Sequence, residues 1–274
     1  MPAVHTNGIT IHYETAGQGD PLLLLHGLGS RSEDWALQFP AFAQRYYVIA
    51  PDMRGHGRST KPPGPYSVPM MAADVTGMLD ALDIPAAHIV GLSMGGMIAF
   101  QMAVDSPERV RSMIIVNSGP ALVASSFGDR LRIRQRLLLA QLFGPARTGV
   151  FLSKRLFPKP DQEGLRAHFI EQWATNDRDA YLAALRALVG WSVFDRVDAI
   201  RCPVLVISGD RDYTPLELKR QYTTLIPGAR LIIIEDSGHA TPVDQAAEFN
   251  TRVLSFMDEI RTQQTNSHTS EENR

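Results

Sequence analysis

The chain contains a single cysteine, Cys202, among its 274 residues. One thiol cannot form an intrachain disulfide. We expect Cys202 to be a buried structural thiol, because it lies at the start of an apolar strand and reactive thiols need an exposed, electropositive setting. The chain also has little excess charge of either sign, with a net charge of −2 at pH 7. This balance argues against nucleic acid and against an anionic membrane as partners.

Long hydrophobic runs are lacking as well. The longest purely aliphatic runs, at 22–25 and 231–234, have the length of strands and are far shorter than a membrane span. The first residues show no basic stretch followed by an apolar one, the pattern of a secretory signal, so we expect a cytoplasmic protein. No spacing of histidine, cysteine and acidic residues is typical of a metal site, and the sequence predicts none.

Short apolar segments alternate with helical patterns along most of the chain. Continuous apolar runs of this kind are typical of strands that are buried on both faces of a parallel sheet. The alternation predicts an α/β fold with a mostly parallel central sheet and helices on both faces. The predicted strands lie at 4–6, 9–14, 21–25, 46–50, 88–90, 110–116, 204–208 and 231–234, and the core helices at 71–82, 94–105, 216–225 and 245–260.

The alternation stops after the sixth strand, where all patterns are helical and aromatic residues are frequent. We interpret this segment, 120–197, as a helical cap inserted into a core domain formed by 1–119 and 198–260. The alternative is a longer helical layer packed on the sheet. The last segment, 261–274, is polar without apolar periodicity, which predicts a disordered tail.

A G-x-S-x-G motif at 91–95 occurs once, directly after an apolar strand and at the start of a helix. This setting is that of a nucleophile elbow, a sharp turn that holds the serine in a strained backbone conformation with its hydroxyl projecting from the sheet edge. We therefore predict that Ser93 is the nucleophile. The helix N-terminus leaves the N–H of Met94 available to a developing oxyanion.

A second oxyanion donor is expected from the turn at 26–29, which follows the strand at 21–25. Gly27 allows the backbone to bend closely, and the N–H of Leu28 is the predicted donor. His26 lies at the wrong end of this turn to act as a base. We expect it to hold the turn by hydrogen bonds.

The base and its acid are expected in turns after the last two core strands. His239 follows Gly238 just after the final strand, and it is the predicted base. Asp212 is favoured as the acid over Asp210, because the extra residues carry it out toward the histidine, and Asp195 is a third candidate. Ser93, Asp212, His239 and Leu28 therefore each lie just beyond the C-terminal end of a different predicted strand. Parallel strands bring such ends to one edge of the sheet, where ligands bind.

Five segments together resemble the α/β-hydrolase superfamily over about residues 3–260: 26–29, 52–59, 91–95, 209–212 and 238–239. The resemblance implies the α/β-hydrolase fold. It also implies that the turn at 52–59 is structural rather than catalytic.

The residue at the elbow and its neighbours reduce the number of activities that the resemblance to this superfamily allows. Haloalkane dehalogenases and epoxide hydrolases carry an aspartate where this chain has Ser93, so neither activity is expected. The stretch 91–97 is similar to enol-lactonases and small carboxylesterases. Enol-lactonases usually lack a histidine at the position of His26, which is a departure from that pattern. Carbon–carbon bond hydrolases typically have asparagine at the position of Leu92 and a different loop after Leu28.

These residues predict acyl transfer in two steps on a small-molecule ester or lactone. His239 takes the proton of Ser93, and the alkoxide attacks the carbonyl. The N–H groups of Leu28 and Met94 hold the oxyanion, Asp212 orients the imidazole, and water hydrolyses the acyl-enzyme. The scheme requires no cofactor.

Two alternatives stay open at this point. The same triad could serve perhydrolysis, thioester cleavage or carbon–carbon bond hydrolysis, or the fold could carry a non-catalytic receptor for a small molecule. The aromatic content of the predicted cap indicates a partly apolar substrate of small to medium size. The predicted substrate-binding residues, each of which also fits a role in core packing, are Trp35, Phe127, Phe143, Trp173 and Trp191.

Overall fold

The computed structural model describes residues 2–124 and 126–272, with side chains described as far as residue 263. Its centre is an 8-stranded sheet in the order β1-β2-β4-β3-β5-β6-β7-β8. β1 and β2 pair antiparallel, as do β2 and β4, and every other neighbouring pair is parallel. The strands are β1 Ala3–Thr6, β2 Ile9–Ala16, β3 Asp20–Leu25, β4 Tyr46–Pro51, β5 Ala87–Leu92, β6 Val110–Val116, β7 Val204–Gly209 and β8 Arg230–Ile234. The predicted mostly parallel sheet is confirmed.

Helices cover both faces of this sheet, because successive side chains of its strands point to opposite sides. In β3, Leu23 and Leu25 belong to one apolar cluster, while Leu22 and Leu24 belong to the other. The core helices are α1 Phe39–Phe42, α2 Val68–Ala81, α3 Met94–Asp105, α7 Leu216–Leu225, α8 Thr241–Asp244 and α9 Ala246–Glu272. The first cluster includes residues of α2 and α3, and the second includes residues of α1 and α9.

Between β6 and β7 the chain forms three helices, α4 Phe127–Leu156, α5 Glu163–Ala174 and α6 Arg178–Leu188. The Ser126 side chain caps α4 by accepting a hydrogen bond from the Asp129 N–H at 3.1 Å. α4 is kinked at Gly144, which has a φ of +71° and precedes Pro145. Proline cannot donate the helical hydrogen bond and so favours a kink. We call α4, α5 and α6 the helical segment.

The C-terminal helix differs from the prediction for its end. The sequence predicts a disordered tail over 261–274, whereas α9 continues to Glu272. A helix satisfies its own backbone hydrogen bonds, so a polar stretch can continue one without an apolar face. The last two predicted tail residues, 273–274, lie outside the described part of the chain. Within the described residues, no helix is long and apolar enough to cross a membrane.

Candidate active site

Ser93 lies in a tight turn between β5 and α3, with a φ of +52° and a ψ of −111°. Such a conformation costs a non-glycine residue about 1–3 kcal/mol and persists where the surroundings determine it. Here the Ser93 N–H donates to the Val116 carbonyl at 3.0 Å, and its carbonyl accepts from the Ser118 hydroxyl at 2.6 Å. Hydrogen bonds from β6 and from the turn after it therefore hold the serine in the conformation that the motif predicts.

The glycines of the motif are needed for close packing at this turn. A Cβ atom on Gly95 would collide with the Leu25 carbonyl of β3, and one on Gly91 would collide with the Gly95 backbone. Both positions thus exclude a side chain. The turn after β3 also passes next to the serine, because a Cβ atom on Gly27 would lie 3.6 Å from Ser93 Cβ.

The two predicted oxyanion donors are backbone amides at the ends of β3 and β5. Within the described part of the chain, neither the Leu28 N–H nor the Met94 N–H has a hydrogen-bond partner. Met94 is the first residue of α3, so its N–H belongs to the group that a helix leaves unsatisfied. Both amides are therefore free to donate to a ligand.

His26 holds the turn after β3. Its Nδ1–H donates to the Gly27 carbonyl at 2.7 Å, and its Nε2 accepts from the Met53 N–H at 3.0 Å. These two bonds require the neutral ring with the proton on Nδ1. Burial lowers the pKa of His26, which keeps the ring neutral. The histidine holds its own turn by a hydrogen bond, as predicted, and it also ties this turn to the one after β4.

His239 and Asp212 form a hydrogen-bonded pair. The Nδ1–H of His239 donates to Asp212 Oδ1 at 2.6 Å, and both side chains are buried. Asp210 instead accepts from the Ser237 N–H at 2.9 Å and so caps the neighbouring turn. Asp195 is exposed in a short 3₁₀ helix, Phe194–Ala199. Of the three candidate acids, Asp212 is the one bonded to the histidine.

Asn117 was not singled out by the sequence, yet it links the turns that carry this pair. Its Nδ2 donates to the His239 carbonyl at 2.8 Å and to the Thr241 hydroxyl at 2.8 Å. Its Oδ1 accepts from the Gly209 N–H at 2.9 Å. The backbone of Asn117 has a φ of +46°, and asparagine is among the residues that tolerate this region best. A single amide therefore fixes the turns after β7 and β8 relative to β6.

Lys219 is a second residue that sequence analysis missed. Its Nζ contacts Asp212 Oδ2 and donates to the Ser208 hydroxyl at 2.9 Å, and the side chains of lysine and aspartate are each 1% exposed. The Thr214 hydroxyl also donates to Asp212 Oδ2. The sequence did offer a signal that Lys219 is buried. Lys219 lies three residues before Tyr222, which is buried, and residues three apart share one face of a helix.

These contacts determine the charge state of the acid. Burial raises the pKa of Asp212, but the charges and hydrogen bonds of His239 and Lys219 outweigh that effect and lower it from 3.8 to about 2. Burial lowers the pKa of Lys219 against the opposing effect of Asp212. Asp212 is therefore a carboxylate throughout the neutral pH range.

A cavity of about 90 Å³ contains the side chains of Ser93 and His239 in its wall. The helical segment supplies much of the remaining wall. Two predicted substrate-binding residues, Trp35 and Trp173, line this cavity. Its further apolar lining residues include Leu28, Leu92, Leu152, Leu156, Phe157, Leu165, Phe169, Tyr213 and Val243.

Three other predicted substrate-binding residues do not line this cavity. Phe127 is 79% exposed at the start of α4, and Phe143 is 47% exposed. Trp191 is buried, and its Nε1–H donates to Gln101 Oε1 at 2.7 Å on α3, so it packs in the core. The amino-acid composition shows that this segment is rich in aromatic residues. It does not show which face of each helix lies against the cavity.

Comparison with known proteins agrees with this architecture. The sequence profile of the alpha/beta hydrolase family matches residues 22–252. The chain is 30% identical over 267 residues to 3-oxoadipate enol-lactonase 2 of Acinetobacter baylyi, covering 94% of this chain and 98% of that one. The chain therefore belongs to the α/β-hydrolase family, and it is a hydrolase.

Solved structures extend the likeness to three dimensions. The enol-lactonase from Burkholderia xenovorans LB400 aligns with a TM-score of 0.88 at 26% identity, over 94% of this chain and all (100%) of that one. A structure described as Est816, an N-acyl homoserine lactone degrading enzyme, aligns with a TM-score of 0.82 at 32% identity, over 93% of this chain and 100% of its own.

Proposed function

We propose that this hydrolase cleaves a carboxylic ester or lactone through an acyl-enzyme on Ser93. The observation that carries the proposal is that the Asp212–His239 pair and the strained Ser93 meet at one cavity. That combination supplies a nucleophile, a base and an orienting acid, the three groups that acyl transfer to a serine requires.

In the first step, His239 removes the proton of the Ser93 hydroxyl as its oxygen attacks the substrate carbonyl. The base acts through Nε2, because Nδ1–H is bonded to Asp212. The carboxylate of Asp212 holds the imidazole in the productive tautomer and stabilises its charged form. The role of Lys219 is to keep Asp212 ionised and oriented toward the histidine.

The negative charge that develops on the carbonyl oxygen needs donors already in place. The unpartnered N–H groups of Leu28 and Met94 serve as this oxyanion hole, and each donor of this kind is worth about 3 kcal/mol in the barrier. The protonated His239 then gives its proton to the leaving alcohol. Water activated by the same base hydrolyses the acyl-enzyme and restores the serine.

Helices α4 and α5 act as a cap over this site in our proposal. Leu152 and Leu156 of α4 and Trp173 of α5 line the same cavity as Ser93. An apolar wall excludes water and favours acyl or alcohol groups of small to medium size. The relatives named as enol-lactonase and as a lactone-degrading enzyme support lactones beside open-chain esters as substrates.

A panel of p-nitrophenyl esters of graded chain length, set against a panel of lactones, tests the proposal and ranks the two substrate classes. We expect hydrolysis by the wild-type chain and a loss of about 10⁴-fold or more in kcat for Ser93→Ala. Circular dichroism of the variant controls for folding. Near-wild-type turnover by folded Ser93→Ala would remove Ser93 from the mechanism.

A further inference from the structure

The cavity that contains Ser93 and His239 also carries a cation that the proposed mechanism does not use. Arg136, on α4, lines this cavity. Among the described residues no carboxylate lies within 4.0 Å of its guanidinium, and its buried Nε has no hydrogen-bond partner. A guanidinium remains protonated at every pH at which a protein is folded. Arg136 as a whole is half-buried, and burying even part of such a charge without a counter-ion is costly.

The acids that line or adjoin the cavity are already engaged by other groups. Asp34 accepts hydrogen bonds from the Ser30 hydroxyl and from the Arg31 N–H, the latter at 3.2 Å. Asp212 is held by His239 and Lys219. Neither forms an ion pair with Arg136, so its positive charge is not neutralised by the protein. This charge is available to a ligand.

Tyr213 connects Arg136 to the proposed base, because it lines the cavity beside Arg136 and contacts the His239 ring. The Tyr213 ring stacks on the His239 ring with 4.3 Å between centroids and 31° between planes. Tyr213 and Arg136 both line the cavity, and the hydroxyl groups of Tyr213 and Tyr181 are close enough to interact electrostatically with the guanidinium. The buried Tyr181 hydroxyl itself has no hydrogen-bond partner within the described chain. A cationic, donor-rich region therefore lies one tyrosine ring away from the proposed base.

From these contacts we propose that Arg136 binds a carboxylate of the substrate, so that the preferred substrates are esters or lactones with an anionic group. The inference rests on the proposed function, because it places the reacting carbonyl at Ser93. A guanidinium can hold a carboxylate through two parallel hydrogen bonds. The acyl chain would be short, since it has to reach from the serine past the Tyr213 ring. Monoesters of short dicarboxylic acids have this form.

The test compares p-nitrophenyl monoesters of dicarboxylic acids of graded length with the same compounds after methylation of the free carboxyl. Each pair differs by one charge at nearly constant length. We expect the wild-type chain to favour the charged member by about 10- to 100-fold in kcat/KM, the range of a charge-assisted hydrogen bond. The preference should be lost in Arg136→Gln and partly kept in Arg136→Lys.

Arg134→Gln is the matched control, because Arg134 lies on the same helix but is exposed and does not line the cavity. It removes the same charge and should keep the wild-type preference. Equal preference in wild type and Arg136→Gln, or an equal loss in Arg134→Gln, would overturn the inference.

The failure of this inference can be told apart from the failure of the proposed function. If Ser93→Ala still hydrolyses both members of each pair, the proposed mechanism is wrong. Calorimetric binding of the monomethyl ester of adipic acid to the Ser93→Ala protein then tests the carboxylate site without chemistry. We expect binding that Arg136→Gln weakens by about 10-fold or more. Equal binding with and without Arg136 would contradict the assignment.

Discussion

The edge of the sheet that carries the proposed triad and the helical segment above it are built differently. The turns at the sheet edge are tied to one another by buried hydrogen bonds, such as those of Asn117 and His26. The helical segment instead exposes large apolar side chains of α4 to solvent, including Leu142 and Phe151. In our proposal, the tightly bonded edge holds the reacting atoms, while the helical segment determines which molecule reaches them.

The largest effect should come from removing the base at the sheet edge. His239→Ala should lower kcat/KM for p-nitrophenyl butyrate by about 10⁴-fold or more, because no other group takes the Ser93 proton. Phe151→Ala, in the helical segment, removes an exposed ring and should change kcat/KM by less than about 3-fold. Steady-state kinetics measures both. Similar losses of kcat/KM in the two variants would show that His239 is no more important for turnover than an exposed ring of the helical segment.

The buried ion pair behind the histidine should dominate the stability of this edge. Lys219→Met leaves the carboxylate of Asp212 without its buried counter-ion, and we expect the free energy of unfolding to fall by about 3–5 kcal/mol. Arg45→Met removes one partner of the Arg45–Asp258 pair, whose side chains are 48% and 40% exposed. That control should cost about 1 kcal/mol or less. Urea unfolding would contradict the account if both variants lost the same amount.

Replacing a glycine with alanine should have opposite effects on stability in the two regions, because the space for an added methyl group differs. Gly95→Ala forces a methyl group against the Leu25 carbonyl and should lower the free energy of unfolding by about 1–3 kcal/mol. Gly164→Ala, in α5, meets no atom within 4 Å and should raise it by about 0.5 kcal/mol. Thermal unfolding of both variants provides the measurement. A stabilising Gly95→Ala would show that the turn is looser than described.

The smallest expected effect is on acid stability. Because the pKa of Asp212 is lowered from 3.8 to about 2 on folding, its contribution is complete above pH 3.8 and disappears as the pH falls through about 2. We expect about 1 kcal/mol of this contribution to be lost between pH 6 and pH 3. The unfolding free energy of Asp212→Asn should therefore depend less steeply on pH over this interval. An identical dependence would show that Asp212 is not ionised preferentially in the folded state.

The sequence was most informative where chemistry depends on local turns. The strand patterns and the turn motifs placed Ser93, Asp212 and His239 at one edge, because the C-terminal ends of parallel strands share that edge. It was less informative about groups that act across the fold. Asn117 and Lys219 reach their partners only after β6, β7 and α7 have packed together.

The helical segment illustrates the limit of pattern reading. α4 carries apolar residues on more than one face, so its sequence does not determine which face meets the cavity. The orientation depends on the kink at Gly144 and on packing against α5. Of the aromatic residues predicted from the helical segment, Trp173 lines the cavity, whereas Phe127 and Phe143 do not. The extension of α9 through residue 272 was missed because backbone hydrogen bonding leaves no apolar signal.

Covalent labelling with a fluorophosphonate probe, followed by mass spectrometry of the labelled peptide, tests the proposed nucleophile most directly. The probe reacts with a serine that an adjacent base has activated. We expect one modified peptide containing Ser93, slow labelling in His239→Ala and none at this position in Ser93→Ala. Modification of a different residue, or labelling at an unchanged rate without His239, would contradict it.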